Sequence, residues 1–214
     1  MATHLEHNMP MKRFALLLGL LICGLARCSL GQQTETIVLI RHGEKPAEEI
    51  GQINNRGLNR ALALPDVLVA KFHAPNFIFA PGTTDKTERN GVQYSYLRPL
   101  VTIAPTAIKL GLPVNTDFGY KHTDDLEAEL LKDKYQGAVI YVAWEHHALD
   151  AMVKKMVADL GGTGITVPEW PRDDFDSIFV LTIRTGADQK KSVEFRVDHE
   201  DLKPGMAYPG PSKE

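Results

Sequence analysis

Short runs of branched apolar residues alternate along the chain with longer stretches whose apolar positions recur at helical spacing. Thr36, Ile37, Val38, Leu39 and Ile40 form the first unbroken run, the pattern of a strand buried on both faces. A loop is expected over 46–54, containing Gly51, and residues 58–64 then have helical composition. Pro65 is expected to begin a fresh turn or a kink before residues 66–70. Residues 76–80 read as a second buried strand stopped by Pro81-Gly82, and the polar residues 83–94 read as a loop at its end. In 99–110, Leu100, Ile103, Ala104, Ala107 and Ile108 fall at helical spacing, and Gly111 with Pro113 ends the helix. A short helix is expected over 124–132 with Thr123 as its N-cap. Residues 137–144 give the third buried strand, followed by Glu145, His146, His147 and a helix to Leu160. Two last strands are expected over 177–184 and 192–197, the second alternating like an edge strand with one wet face.

This alternation of strands and helices predicts an α/β fold: a single three-layer α/β/α domain with a mainly parallel central sheet and antiparallel edges at its C-terminal end. The chain shows no internal repeat and no low-complexity block.

The first 31 residues read differently. Lys12-Arg13 precedes an apolar run over 14–26, and Ser29 and Gly31 flank Leu30 just before Gln32. A positive n-region, a short apolar core and a small-x-small site make an export signal, and the run is shorter than the ~20 residues that span a bilayer. The expected division is therefore a signal peptide over 1–31 and a single folded domain over 32–214, with no stable membrane span after cleavage. His4, Glu6 and His7 are unusual for an n-region, so Met11 is a second candidate start. The expected destination is the periplasm or the exterior, or a membrane tether if the signal stays uncleaved or Cys28 is lipidated. Arg27 stands against lipidation, because a small residue is expected beside such a cysteine.

Cys23 and Cys28 both fall in this segment, so thiolate catalysis, disulfides and a thiolate metal site are not expected in the domain. The net charge of the chain is −3. The segment carries Lys12, Arg13 and Arg27 against Glu6, a net +2, which leaves the domain at about −5. A mildly acidic domain does not suit sequence-blind nucleic-acid binding, so no nucleic-acid partner is expected.

The candidate chemistry lies at strand ends. Arg41 and His42 follow the first strand, a loop leads from the second towards Arg98, and His146-His147 follow the third. Parallel strands bring such groups to one edge of the sheet, where open α/β sheets bind ligands. Two arginines suit the oxygens of a phosphate, and a histidine suits nucleophilic attack or proton transfer. The bland alternative is a core histidine with Arg41 as a strand-end cation paired to Glu44.

Arg41-His42-Gly43 resembles the Arg-His-Gly string of the histidine phosphatase superfamily, also called phosphoglycerate mutase-like. The stretch from Ser95 through Arg98 to Thr102 and Ala104 resembles its second-arginine motif loosely, and His146 at the end of a hydrophobic strand matches its second histidine. The resemblance implies the phosphoglycerate mutase-like fold. It implies His42 as the nucleophile that accepts the phosphoryl group, with Arg41, Arg98 and His146 binding its oxygens. Attack requires a neutral His42. The acid that protonates the leaving oxygen is sought at Glu145 or at Asp125, and Glu44 is expected to orient an arginine. Arg89 is a rival to Arg98, which is favoured because it precedes a helix start.

The implied activity is hydrolysis of a phosphate ester through a phosphohistidine, on a small molecule or a phosphorylated envelope component, without a cofactor. A phosphomutase of the same family and an inactive phosphate-binding module are the alternatives. A metal site drawing on His122, Asp124, His146, His147 and Asp150 is disfavoured: no His-Glu-x-x-His spacing is present, and neighbouring histidines are expected to splay apart. Ser95 lacks a nucleophile elbow, His147 is expected to be solvated, and Trp144 and Trp170 are expected to pack in the core or at its rim.

Overall fold

The computed structural model describes residues 33–202; the expected export signal, with Cys23 and Cys28, lies outside them. The elements in order are β1 (Gln33–Arg41), α1 (Asn55–Phe72), β2 (Phe77–Phe79), β3 (Lys86–Arg89), β4 (Val92–Ser95), α2 (Arg98–Leu110), β5 (Val114–Asn115), α3 (Thr123–Leu130), a 3-10 turn (Asp133–Tyr135), β6 (Val139–Trp144), α4 (His146–Asp159), β7 (Ser177–Thr185) and β8 (Lys191–His199). Six strands form one sheet in the order β5-β2-β6-β1-β7-β8. The first four run parallel, and β7 and β8 are antiparallel additions on the C-terminal side.

Each face of the sheet carries its own core. Ile37 and Leu39 of β1 point into a cluster with Leu126, Leu130, Leu149, Met152 and Met156 from α3 and α4. Val38 and Ile40 point the other way, into Leu64, Leu68 and Phe72 of α1 and Ile103 and Ala107 of α2. The period-2 geometry of a strand thus explains why β1 is apolar at every position from Ile37 to Ile40: that stretch has no wet face. The architecture is the three-layer α/β/α domain expected from the sequence.

Several details differ from expectation. Pro65 lies inside the continuous helix α1. Ala61, Leu64, Leu68 and Phe72 bury one stripe against the sheet, and that packing carries the helix across a residue that cannot donate a backbone bond. The stretch expected as a loop over 83–94 contains a hairpin, β3 and β4, paired from Lys86 opposite Ser95 to Arg89 opposite Val92. Its two-residue turn is Asn90-Gly91, with φ of 52° and 75°, the left-handed pair that a tight hairpin requires. Thr123 begins α3, and the N-cap is His122. The two-residue strand β5 had no apolar run to announce it.

Candidate active site

β1 and β6 are neighbours in register, with Arg41 opposite Trp144, and the His42 amide donates to the Trp144 carbonyl at 3.0 Å. The chain therefore leaves two adjacent parallel strands on the same edge, one continuing into His42-Gly43 and the other into Glu145-His146. Adjacent strands lie ~4.8 Å apart, so pairing alone brings these two segments together.

His42 is 2% exposed, and its Nδ1 lies 2.8 Å from the Gly43 carbonyl oxygen. A carbonyl only accepts, so this bond places the proton on Nδ1 and leaves the lone pair on Nε2. Burial, reinforced by the charges of Arg41 and Arg98, pushes the imidazole down to about 3, so His42 is neutral at physiological pH. The rings of Tyr96 and Phe175 flank it, each with its centroid 6.2 Å away.

Arg41 is held from behind. Its Nη1 donates to the carbonyls of Asp174 at 2.7 Å and Pro171 at 3.3 Å, and its guanidinium lies 3.9 Å over the Phe175 ring. Burial lowers its pKa to about 10, which leaves it a cation. Arg98 is the first residue of α2, with Pro99 at the position where a proline starts a helix well. It is buried, and its Nη2 donates to the Glu49 carbonyl at 3.3 Å. Arg89 lies on the hairpin, half exposed and 3.4 Å from a Glu49 carboxylate oxygen, so Arg98 is the arginine in the buried cluster.

His146 is the first residue of α4 and is buried, with Nδ1 2.6 Å from Glu145 Oε1. The other oxygen of Glu145 accepts from the Ala148 amide at 2.9 Å and caps the helix. Burial alone would raise the pKa of Glu145. The contact with His146 and the Ala148 amide outweigh it and bring the carboxyl down to about 2. Glu145 is thus ionised at neutral pH and has no proton to give. Asp125 is exposed in the first turn of α3 and takes no part in the hydrogen bonds and ion pairs of this cluster.

Within the cluster Arg41, Arg98 and Glu145 all act on the ionisation of His42, and Glu145 acts also on Arg41 and Tyr96. Arg41 Nε, Arg98 Nε, His146 Nε2 and the Tyr96 hydroxyl are buried and have no hydrogen-bond partner. Buried polar groups are seldom left so, and several around one imidazole mark a place for an anion.

The residues that support the site carry little signal in the sequence. The Gly43 amide donates to Thr102 Oγ1 at 2.8 Å, and that hydroxyl donates to the Arg98 carbonyl at 2.8 Å, so one threonine ties the two halves of the site. Thr102 stood in the motif resemblance without a role. Glu44 does orient arginines, but they are Arg60, at 3.0 and 3.1 Å, and Arg56, at 2.9 Å, rather than Arg41. Arg60 pairs in turn with the buried Glu200. Trp144 and Trp170 are core residues, the former donating to the Tyr120 carbonyl at 2.9 Å.

His147 is exposed, as expected, but the two imidazoles do not splay apart. Their rings lie 4.0 Å apart at 34°, and one donor atom each from Glu145, His146 and His147 falls within 4.8 Å of the others. A cation held there would compete with His146 and the Ala148 amide for the oxygens of Glu145. His122, Asp124 and Asp150 do not join this group.

No protein-family model matches the sequence, and no curated protein matches it. Solved structures do. A structure from Nakamurella multipartitia that carries the name phosphohistidine phosphatase SixA is 16% identical, with a TM-score of 0.53 over 79% of this chain and 98% of that one. A mycobacterial glucosyl-3-phosphoglycerate phosphatase is 14% identical, with a TM-score of 0.47 over 77% and 97%. An Entamoeba histolytica phosphoserine phosphatase in complex with phosphoserine is 10% identical, with a TM-score of 0.44 over 78% and 96%. At such identities the likeness is one of fold. The chain has the phosphoglycerate mutase-like fold, with Arg41-His42-Gly43 at the carboxyl end of a central parallel strand.

Proposed function

We propose that this protein is a histidine-type phosphatase that hydrolyses a phosphate ester through a phosphohistidine on His42. One observation carries the reading: a neutral imidazole, pinned through Nδ1, is buried within the field of two guanidiniums, Arg41 and Arg98, whose Nε atoms have no partner. Nε2 attacks phosphorus in line, the P–O ester bond breaks, and the ester oxygen leaves with the bonding pair and takes a proton from solvent at the mouth of the site. Arg41, Arg98 and His146 bind the non-bridging oxygens and take up the charge that spreads over them. Water then attacks the phosphohistidine, the P–N bond breaks, and inorganic phosphate is released with His42 restored. Glu145, held as a carboxylate, is assigned to orienting His146. Asp125 would protonate a leaving oxygen only by meeting it at the mouth of the site.

Phosphorylated small molecules or a phosphorylated envelope component are the proposed substrates. The name of the Nakamurella multipartitia structure, a phosphohistidine phosphatase, supports a phosphoryl group as the element recognised. Export is part of the proposal, supported by Lys12-Arg13, the apolar run over 14–26 and the small residues around Leu30. Among the described residues no helix is long and apolar enough to cross a membrane.

The test is phosphate release from a panel of alkyl and aryl phosphate monoesters by the purified protein. Turnover is expected, with complete loss in His42→Ala and a loss of about 10²–10³-fold in Arg98→Ala, the range for removing one charge-stabilising donor. If wild type and His42→Ala were equally inert while both bound phosphate, the protein would be a binding module. Phosphoryl exchange between alcohols in excess of phosphate release would make it a mutase.

A further inference from the structure

Tyr96 lies between β4 and α2, two residues before Arg98, and is 2% exposed. Its ring packs on Tyr120 at 4.4 Å and meets the imidazole of His42 nearly at right angles, at 85°. Its backbone amide is used, donating to the Asp85 carbonyl at 3.2 Å. Its hydroxyl is buried, and although Arg98 is near enough to donate to the oxygen, the hydroxyl proton has no acceptor.

No described residue accepts a hydrogen bond from that hydroxyl. Arg98, whose guanidinium lies 5.4 Å from the Tyr96 ring, can only donate. Glu145 is near enough to act on the hydroxyl electrostatically, yet one of its oxygens faces His146 and the other holds the Ala148 amide. A phenylalanine would fill the same space without burying an unsatisfied group. Arg41 Nε and Arg98 Nε are orphaned donors of the same cluster, so the unmet acceptor is shared. A phosphoryl group brings three non-bridging oxygens and could meet several of these donors together.

We propose that Tyr96 is a further phosphate-binding and catalytic residue, whose hydroxyl donates a hydrogen bond to a non-bridging oxygen of the phosphoryl group transferred to and from His42. The inference rests on the histidine-phosphatase reading of this site. Burial raises the pKa of the phenol, so it remains a donor at neutral pH.

The test is Tyr96→Phe, read by kcat/KM on alkyl and aryl phosphates, by vanadate affinity, and by the thermal midpoint with and without vanadate. The expected result is a fall in kcat/KM of about 10- to 100-fold, the loss for one hydrogen bond to a charged group. The fall should be the same for alkyl and aryl esters, because the bond is not to the leaving oxygen. Vanadate should bind more weakly, while the ligand-free midpoint stays level or rises because an unsatisfied hydroxyl has gone. Unchanged kcat/KM and vanadate affinity would overturn the proposal. A lowered ligand-free midpoint with an unaltered vanadate-induced shift would also overturn it, by showing a structural tyrosine. A loss confined to alkyl esters would move the hydroxyl to the leaving oxygen, contrary to the proposal. If the wild type binds vanadate but turns over no phosphate ester, the phosphatase reading fails and the vanadate comparison still decides Tyr96.

Discussion

His42 differs from an exposed imidazole in two respects, a fixed tautomer and a depressed pKa, and both follow from its position between β1 and the first turn of α2. Burial, with the cations Arg41 and Arg98, moves it from 6.5 to about 3, so the folded protein does not take up the proton that the unfolded chain binds in that window. The unfolded state therefore binds more protons between those values, and stability contributed by a neutral His42 is lost as pH falls from 6.5 towards 3. His42→Asn should flatten that acid-side loss, measured as the urea midpoint at intervals between about pH 6.5 and pH 4. Coincident slopes for wild type and variant would show that His42 titrates normally. Arg41, His42 and His146 were legible in the sequence because each directly ends or follows an apolar run. Tyr96 and Thr102 were not, since a tyrosine and a threonine near a helix start look alike whether they face solvent or a ligand.

The elements meet at backbone contacts that admit no side chain. A Cβ on Gly43 would lie 2.9 Å from Gly57 Cα, and one on Gly57 would lie 2.6 Å from the Glu44 carbonyl oxygen and 2.8 Å from its amide nitrogen. The loop carrying His42 is thus packed directly on the first turn of α1, and Asn54 caps that turn by accepting from the Gly57 amide at 2.9 Å. Gly57→Ala should destabilise the fold by about 1–3 kcal/mol despite the better helix propensity of alanine, because backbone cannot yield as a flexible side chain does. It should also lower activity by shifting the Glu44 backbone next to His42-Gly43. A variant as stable and active as wild type would refute the close packing. At this scale the buried strands were readable from unbroken apolar runs, and β8 from its alternation. The hairpin of β3 and β4 is hard to read despite Asn90-Gly91 at its turn, because its strands have 4 residues each, none of them buried, with Val92 and Tyr94 their only apolar positions. Pro65 misled because tertiary burial of α1 overrides a local preference.

Across the molecule, the site exists because β6 inserts between β2 and β1, so that segments more than 100 residues apart leave neighbouring strands together. No local pattern specifies that order; the parallel alternation allowed convergence, and only the family resemblance implied it. The network of Glu44, Arg56, Arg60 and Glu200 was equally hidden, since it joins the residue after the Arg-His-Gly string to α1 and to the end of β8. Pairing on both sides lets Arg60 stay charged in the interior, where a lone guanidinium would be costly. The central claim is that this assembly makes His42 a phosphoryl acceptor. The direct measurement is rapid quenching of a single turnover with a phosphate-labelled ester, followed by mapping of the label. The account predicts acid-labile, alkali-stable phosphate on the peptide containing His42 and none in His42→Ala; label on any other residue, or full phosphate release by His42→Ala, would contradict it.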